Sequence, residues 1–304
     1  MDFKQKFEPK GNRIIQGAGQ EFPGDFRDYW NAVETYKPLL YMTYIGMNQP
    51  IDSWFNKVKK EIKEFPNVLP QVGLSMTVEV QSPQTHYEHD VAKGKYDGAI
   101  DSFCKGCKKL EIPIYVRLGF EFNGLSWNGY LPEDYVKAWK RVADRIKENN
   151  VNNVATVWCY APDGEKNYMD YYPGDNYVDW WGIDIFSPKH LEDEFTEKFM
   201  QDAVKHKKPI MIGEATPRYI GVLRGQESWD NWFKPFFRWI EQHSVVKAFC
   251  YINWDWSKHE NWKDWGDSRI SQNEIVKRNY LEEIRKSKYI HNLPTNKFLK
   301  LVNY

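Results

Sequence analysis

Neither sign of charge prevails in this sequence: lysine plus arginine and aspartate plus glutamate each number 42, for a formal net charge of zero. No global field therefore draws the chain to nucleic acid or to an anionic membrane. No apolar run approaches the roughly 20 residues that a membrane span needs. The start, MDFKQKFEPK, is charged throughout and has no signal-peptide pattern. Histidine is scarce, seven residues in 304, with no HExxH motif and no HxH on the first strand candidate. That argues against a metal-dependent hydrolase. Only four cysteines are present, Cys104, Cys107, Cys159 and Cys250. The CKGC pair has metal or redox spacing, but it lies in a helix-like stretch with no second Cys or His pair nearby, so it reads as structural. Gly/Ser linkers, low-complexity segments and short-period repeats are also missing, so a single domain over residues 1–304 is expected.

Aromatic residues, by contrast, are abundant: 14 Trp, 19 Tyr and 17 Phe. Tryptophan and tyrosine join an apolar face to a polar edge, which suits stacking on ring-shaped polar ligands as well as core packing. Eight short apolar runs read as strands: 13–19, 39–46, 69–78, 112–122, 153–162, 177–186, 208–217 and 245–254. Amphipathic helix candidates lie between them. One starts at Ser53. Another begins with Pro132 and shows one face through Val136, Trp139, Val142 and Ile146. Two more are EFTEKFMQDAVKHKK and SWDNWFKPFFRWIEQH, and a fifth opens with Ser271 and Glu274 in capping-box spacing. Apolar strands alternating with helices imply a parallel sheet buried on both faces. Eight such units predict an α/β fold, a (β/α)8 TIM barrel over roughly residues 12–287 with a C-terminal extension at 288–304. An open doubly wound sheet is disfavoured because no Gly-rich phosphate loop follows the first strand.

Such barrels carry their chemistry at the C-terminal ends of the strands. Strand four runs into Glu121 and strand seven into Glu214, each acid following an apolar run and a glycine. Alternation along strand four puts Tyr115, Arg117, Gly119 and Glu121 on one face. Arg117 would then lie one layer below Glu121, where a buried guanidinium needs a carboxylate, and Glu214 is the expected partner. That contact would keep Glu214 charged, while apolar neighbours would leave Glu121 its proton. Two carboxyls in opposite protonation states make an acid and a nucleophile.

At these residues the sequence resembles the clan A retaining glycoside hydrolases, and within them glycoside hydrolase family 26, the endo-β-mannanase and β-glucanase group. The resemblance rests on Arg117, Glu121, Asn123 and Trp127, on VWCYAP, YYPGDNYVDWWGIDIF and PIMIGEA, and on WGDSRI at 265–270. It covers roughly residues 10–285. It implies that Glu121 protonates the leaving oxygen and Glu214 attacks the anomeric carbon, with retention. The carboxyls would lie about 5–5.5 Å apart. It also implies that Tyr160 and Asp184 orient the sugar or the nucleophile. Trp254 would be a stacking floor, with Trp127, Trp256, Trp262 and Trp265 extending the cleft. The sequence departs from the family in having Phe120 where His commonly precedes the acid, and ATPR after the nucleophile.

Cations are expected to rim the active face: Lys166, Lys189, His190, Arg218, Arg224, Lys258, His259 and Arg269. They raise an anionic, sulfated or uronic glycan as an alternative to a neutral β-mannan, β-glucan or β-xylan, with Arg218 as a binding residue. The partner expected is a polysaccharide or oligosaccharide; no cofactor and no metal are expected. A non-catalytic carbohydrate-binding barrel is the competing function. Polymer degradation favours an extracellular or periplasmic location with a signal peptide removed, the cytoplasm being the alternative.

Overall fold

A computed structural model describes residues 1–19, 24–78 and 85–304. Its main sheet contains eight barrel strands: β1 (Ile14–Gly19), β2 (Leu40–Gly46), β3 (Leu69–Ser75), β4 (Ile114–Leu118), β5 (Val154–Tyr160), β6 (Trp180–Ile185), β7 (Ile210–Ala215) and β8 (Val246–Ile252). They are ordered by sequence, and β8 returns to pair in parallel with β1. The fold is a (β/α)8 barrel. Nearly every strand residue is buried, as apolar strands covered on both faces require.

The chain forms two compact units, Met1–Thr43 with Asp184–Tyr304, and Tyr44–Ile183. In the first, β1 pairs with β2 and β8, and β8 with β7. The C-terminal extension adds a ninth strand, Tyr289–Ile290, beside Ile14 and Ile15. Both chain ends are stitched together there: Phe7 N donates to Asn303 O at 2.6 Å, Asn303 N to Glu8 O at 2.9 Å, and Lys10 N to Leu301 O at 2.9 Å. In the second unit, β3, β4, β5 and β6 pair in parallel and in turn.

Helix Pro132–Glu148 begins on its proline, which lacks a donor where none is needed, and has Glu133 and Asp134 in its first turn. Its buried face is Tyr135, Ala138, Trp139, Val142 and Ile146. Val136 is only half-buried, because the larger Tyr135 ring takes the inward place. Arg141 and Arg145 fix this helix to Asp97 and Asp101 of helix Asp97–Leu110 at 2.6 Å each. Cys104 and Cys107 lie on the buried side of that second helix; burial raises both thiols, Cys104 to about 11, so they stay protonated and inert.

Several expected boundaries move for local reasons. The helix placed at Ser53 starts at Ile51, right after Pro50. The last long helix, Glu274–Ile284, is capped by Asn273, whose Oδ1 accepts from Ile275 N and Val276 N; Ser271 turns away and donates to Asp28 at 2.8 Å. Asparagine competes well for the cap position, so the Ser271–Glu274 box does not form. In SWDNWFKPFFRWIEQH a π-helical turn at Trp229–Phe233 precedes helix Lys234–Gln242. Pro235 has no N–H to give the preceding turn, which widens instead. The third strand stops at Ser75, and Thr77–Val78 then pairs antiparallel with Thr85–His86.

Candidate active site

In the unit Tyr44–Ile183, β4 ends at Leu118 rather than running on to residue 122. Gly119 has φ +49° and Glu121 φ +51°, both left-handed. The alternation argued from sequence therefore holds only as far as Arg117, and Glu121 is set by a turn, not by strand parity. For a glutamate that backbone costs roughly 1–2 kcal/mol, and the loop opposes the cost with several bonds. Asn128 Nδ2 donates to the carbonyls of Phe120 and Glu121, at 3.0 Å each. Gly124 N donates to Glu121 O at 2.9 Å. The half-buried Glu121 carboxyl accepts the indole N–H of Trp127, Nε1 to Oε2, at 2.7 Å. The same indole overlies Gly124, where any Cβ would collide with it.

Trp127 is thus a positioning residue for the acid as well as an aromatic face. Trp127→Phe keeps a ring over Gly124 and removes the N–H. We expect kcat on a hydrolysed glycan to fall about three- to tenfold, the worth of one hydrogen bond to a carboxyl that carries its proton, with the melting temperature unchanged. A rise in KM at constant kcat would mark stacking as its role instead.

Asn123 is fully buried and so meets no ligand in this arrangement. Its Nδ2 donates to Ala161 O (2.7 Å) and Glu165 O (3.0 Å), and its Oδ1 accepts from Ala161 N (2.9 Å). It ties the loop bearing Glu121 to the loop after β5. Arg117 is also fully buried, with Nη1 3.6 Å from Cys159 Sγ and the guanidinium 4.7 Å from the Phe120 ring centre. Phe120, the departure from the family pattern, therefore serves as an aromatic cover over a buried cation. Tyr160 is buried against Tyr168 and Phe122, at ring-centre distances of 5.3 and 6.4 Å.

In the other unit Glu214 lies within β7 and is 8% exposed, and Asp184 lies fully buried in β6. After β7, Thr216 Oγ1 accepts from Trp256 Nε1 at 3.1 Å and bonds Ser268 Oγ at 2.9 Å. That couples the loop after Glu214 to the tryptophan-bearing loop after β8. Trp254 lies beyond the end of β8, so its direction too comes from a loop and not from strand parity. Its ring stacks on His259 (3.8 Å) and contacts Trp256 (4.7 Å) and Trp262 (6.2 Å). Trp256 in turn meets Trp265 at 4.5 Å.

Several of the expected rim cations pair with neighbouring acids, Arg224 and Lys258 while remaining more than half exposed. Arg269 binds Asp267 (2.6 Å) and Asp255 (3.1 Å), Lys258 binds Asp255 (3.2 Å), and Arg224 binds Glu227 (3.1 Å). Lys166 donates to Pro162 O at 2.5 Å, and His259 is stacked. Arg218 lies 5.1 to 5.8 Å from the rings of Trp265, Tyr219 and Phe186, with Nη2 3.4 Å from His190 Nε2. Sequence reasoning missed Asn128, Thr216 and Ser268. The Asn-Gly pair at 128–129 does signal a turn, but nothing in it reveals which carbonyls the side chain clamps.

The family model for Glycosyl hydrolase family 26 matches residues 24–245. A β-1,3-xylanase from Vibrio sp, TXYA, is 30% identical over 313 residues, covering 91% of this chain and 66% of its own length. A β-1,3-xylanase from Alcaligenes sp is 28% identical over 324 residues, covering 95% of this chain and again 66% of its own. The chain thus spans slightly less than two thirds of both relatives. Among solved structures, GH26C from Muricauda sp. MAR_2010_75 matches with a TM-score of 0.68 at 16% identity, over 96% of this chain and 90% of that one. At that identity the likeness speaks for the fold.

Proposed function

The chain belongs to glycosyl hydrolase family 26, and on that footing we propose that it is a retaining, endo-acting hydrolase of a neutral β-linked polysaccharide. Glu121 is its acid/base and Glu214 its nucleophile. The observation that carries the reading is the carboxyl of Glu121, held in a left-handed turn after β4 and aimed by the indole of Trp127. Left-handed φ also occurs at the exposed Glu34 and Glu111, so it is the indole bond to the carboxyl that sets Glu121 apart.

In the first step Glu214 attacks the anomeric carbon while Glu121 gives its proton to the departing oxygen. In the second, Glu121 takes a proton from water, which releases the sugar from Glu214 with its original configuration. Retention requires carboxyls about 5–5.5 Å apart. Trp254 is assigned as the floor on which the sugar stacks.

Two relatives bear the name β-1,3-xylanase, and xylan with that linkage is the substrate we favour. The occupation of Arg224, Lys258 and Arg269 by internal acids speaks against a sulfated or uronic chain. A polymer too large to cross a membrane has to be met outside the cytoplasm, where we place the enzyme's action.

The test is reducing-end release from β-1,3-xylan, β-1,4-mannan, β-glucan and a sulfated galactan. We expect β-1,3-xylan to be cut at least about tenfold faster than the others, a margin within reach of pocket contacts alone. A series of oligosaccharides should appear early, as internal cleavage gives. Release from the sulfated polymer alone would reverse the substrate assignment, and binding without release would favour the non-catalytic barrel.

A further inference from the structure

The short hairpin formed by Thr77–Val78 and Thr85–His86 carries a histidine that the reaction as proposed leaves unused. It follows the C-terminal end of β3, the end of the barrel on which loops build the active face. The His86 side chain is 35% exposed, whereas the Glu88 carboxyl below it has no exposure. His86 Nδ1 lies 2.8 Å from Glu88 Oε2 and 3.0 Å from Oε1. The same Oε1 accepts the N–H of Leu131 at 2.9 Å, where the loop bearing Glu121 passes into helix Pro132–Glu148. The imidazole also rests on that loop. A Cβ at Gly129 would meet His86 Cδ2 at 2.9 Å, so the glycine provides the seat for the ring.

A buried carboxylate on Nδ1 fixes that nitrogen as the donor and leaves Nε2, beside Gly129, as the ring's second polar atom. Among the described residues Nε2 has no hydrogen-bond partner. As a neutral ring it accepts, as an imidazolium it donates, and a sugar hydroxyl complements both. We propose that His86 is a glycan-contacting residue beside the acid/base loop, binding a sugar hydroxyl through Nε2. Glu88 is the positioning residue that aims the ring and, through Leu131, anchors the loop. This rests on the hydrolase reading and adds to it a binding group that comes from the hairpin after β3, not from the strand ends bearing the acids.

His86→Phe keeps a ring over Gly129 and removes both nitrogens. On the glycan the wild type hydrolyses, KM should rise about three- to tenfold, the worth of one neutral hydrogen bond, with kcat within about twofold and the melting temperature unchanged. Glu88→Ala should also lower kcat, because Leu131 loses its anchor, and Glu88→Gln, which keeps an acceptor for that N–H, should restore it. A wild-type KM in His86→Phe would overturn the proposal, as would a Glu88→Ala protein that differs only in melting temperature. Failure of the hydrolase reading is read separately, from a wild type that releases no reducing ends. In that event calorimetric titration with the oligosaccharide decides: weaker binding by His86→Phe supports the contact, and equal binding or none refutes it.

Discussion

Replacing Glu214 with alanine should lower hydrolysis by about 10⁵-fold, the scale on which loss of an essential nucleophile registers, while the protein still binds its glycan. The nucleophile acts as the glycosidic bond breaks, when positive charge gathers on the sugar ring, so its removal empties the covalent route. Binding depends on contacts made before that moment, and these remain. The substitution does not touch the sheet's backbone ladder, in which Ile212 faces Phe249 and Ala215 faces Tyr251. Circular dichroism should accordingly match the wild type, while loss of a buried carboxylate lowers the melting temperature. Glycan retention on an affinity gel and reducing-end assays on the same preparation check both halves. A variant within tenfold of wild-type turnover would strip Glu214 of its role.

Glu121→Ala should behave differently with different leaving groups. On a polysaccharide the departing alkoxide needs a proton, and losing the general acid should slow cleavage about 10²- to 10⁴-fold. An activated aryl glycoside departs without help, so its first step should be nearly unimpaired. The second step still needs Glu121 as a base. The variant should therefore show a rapid burst of phenol followed by slow turnover, as a trapped glycosyl-enzyme gives. Stopped-flow absorbance would record the burst. Equal losses on both substrates would remove Glu121 from the acid/base position. Trp127→Phe should follow the same leaving-group pattern in weaker form, because its N–H acts through the Glu121 carboxyl.

Much of the barrel could be read from the chain. Runs such as NVATVWCYAP and KPIMIGEATP announce buried strands by apolar continuity alone, and the two candidate acids were sought near the ends of strands four and seven. What escaped is whatever depends on one turn or on a distant partner. Nothing in GFEFNG tells that Gly119 and Glu121 take positive φ, so strand alternation was carried past the strand's end at Leu118. Asn123 was expected to bind substrate because the family resemblance includes it just after Glu121. Its amide is consumed by Ala161 and Glu165, 38 and 42 positions away. The loop cations looked available because sequence shows charge without showing neighbours. Arg269 finds Asp267 two residues away and Asp255 fourteen away, and both lie in the same turn of chain. The His86–Glu88 contact was within reach of spacing, yet a histidine two residues from a glutamate is too common a pattern to mark a site without the burial of the acid.

The stitching of residues 7–10 to 301–303 has a consequence for how this molecule can be extended. These segments meet just ahead of β1, at the opposite pole of the strands from the end of β7 that bears Glu214. A module tethered beyond either segment would emerge from one spot, at the pole away from Glu214. With residues 7–10 and 301–303 already side by side, a short bridge between them would close a ring at little entropic cost, and a new opening could be cut in a surface loop. For this architecture the cyclic order of the units matters, and where the thread happens to be cut does not.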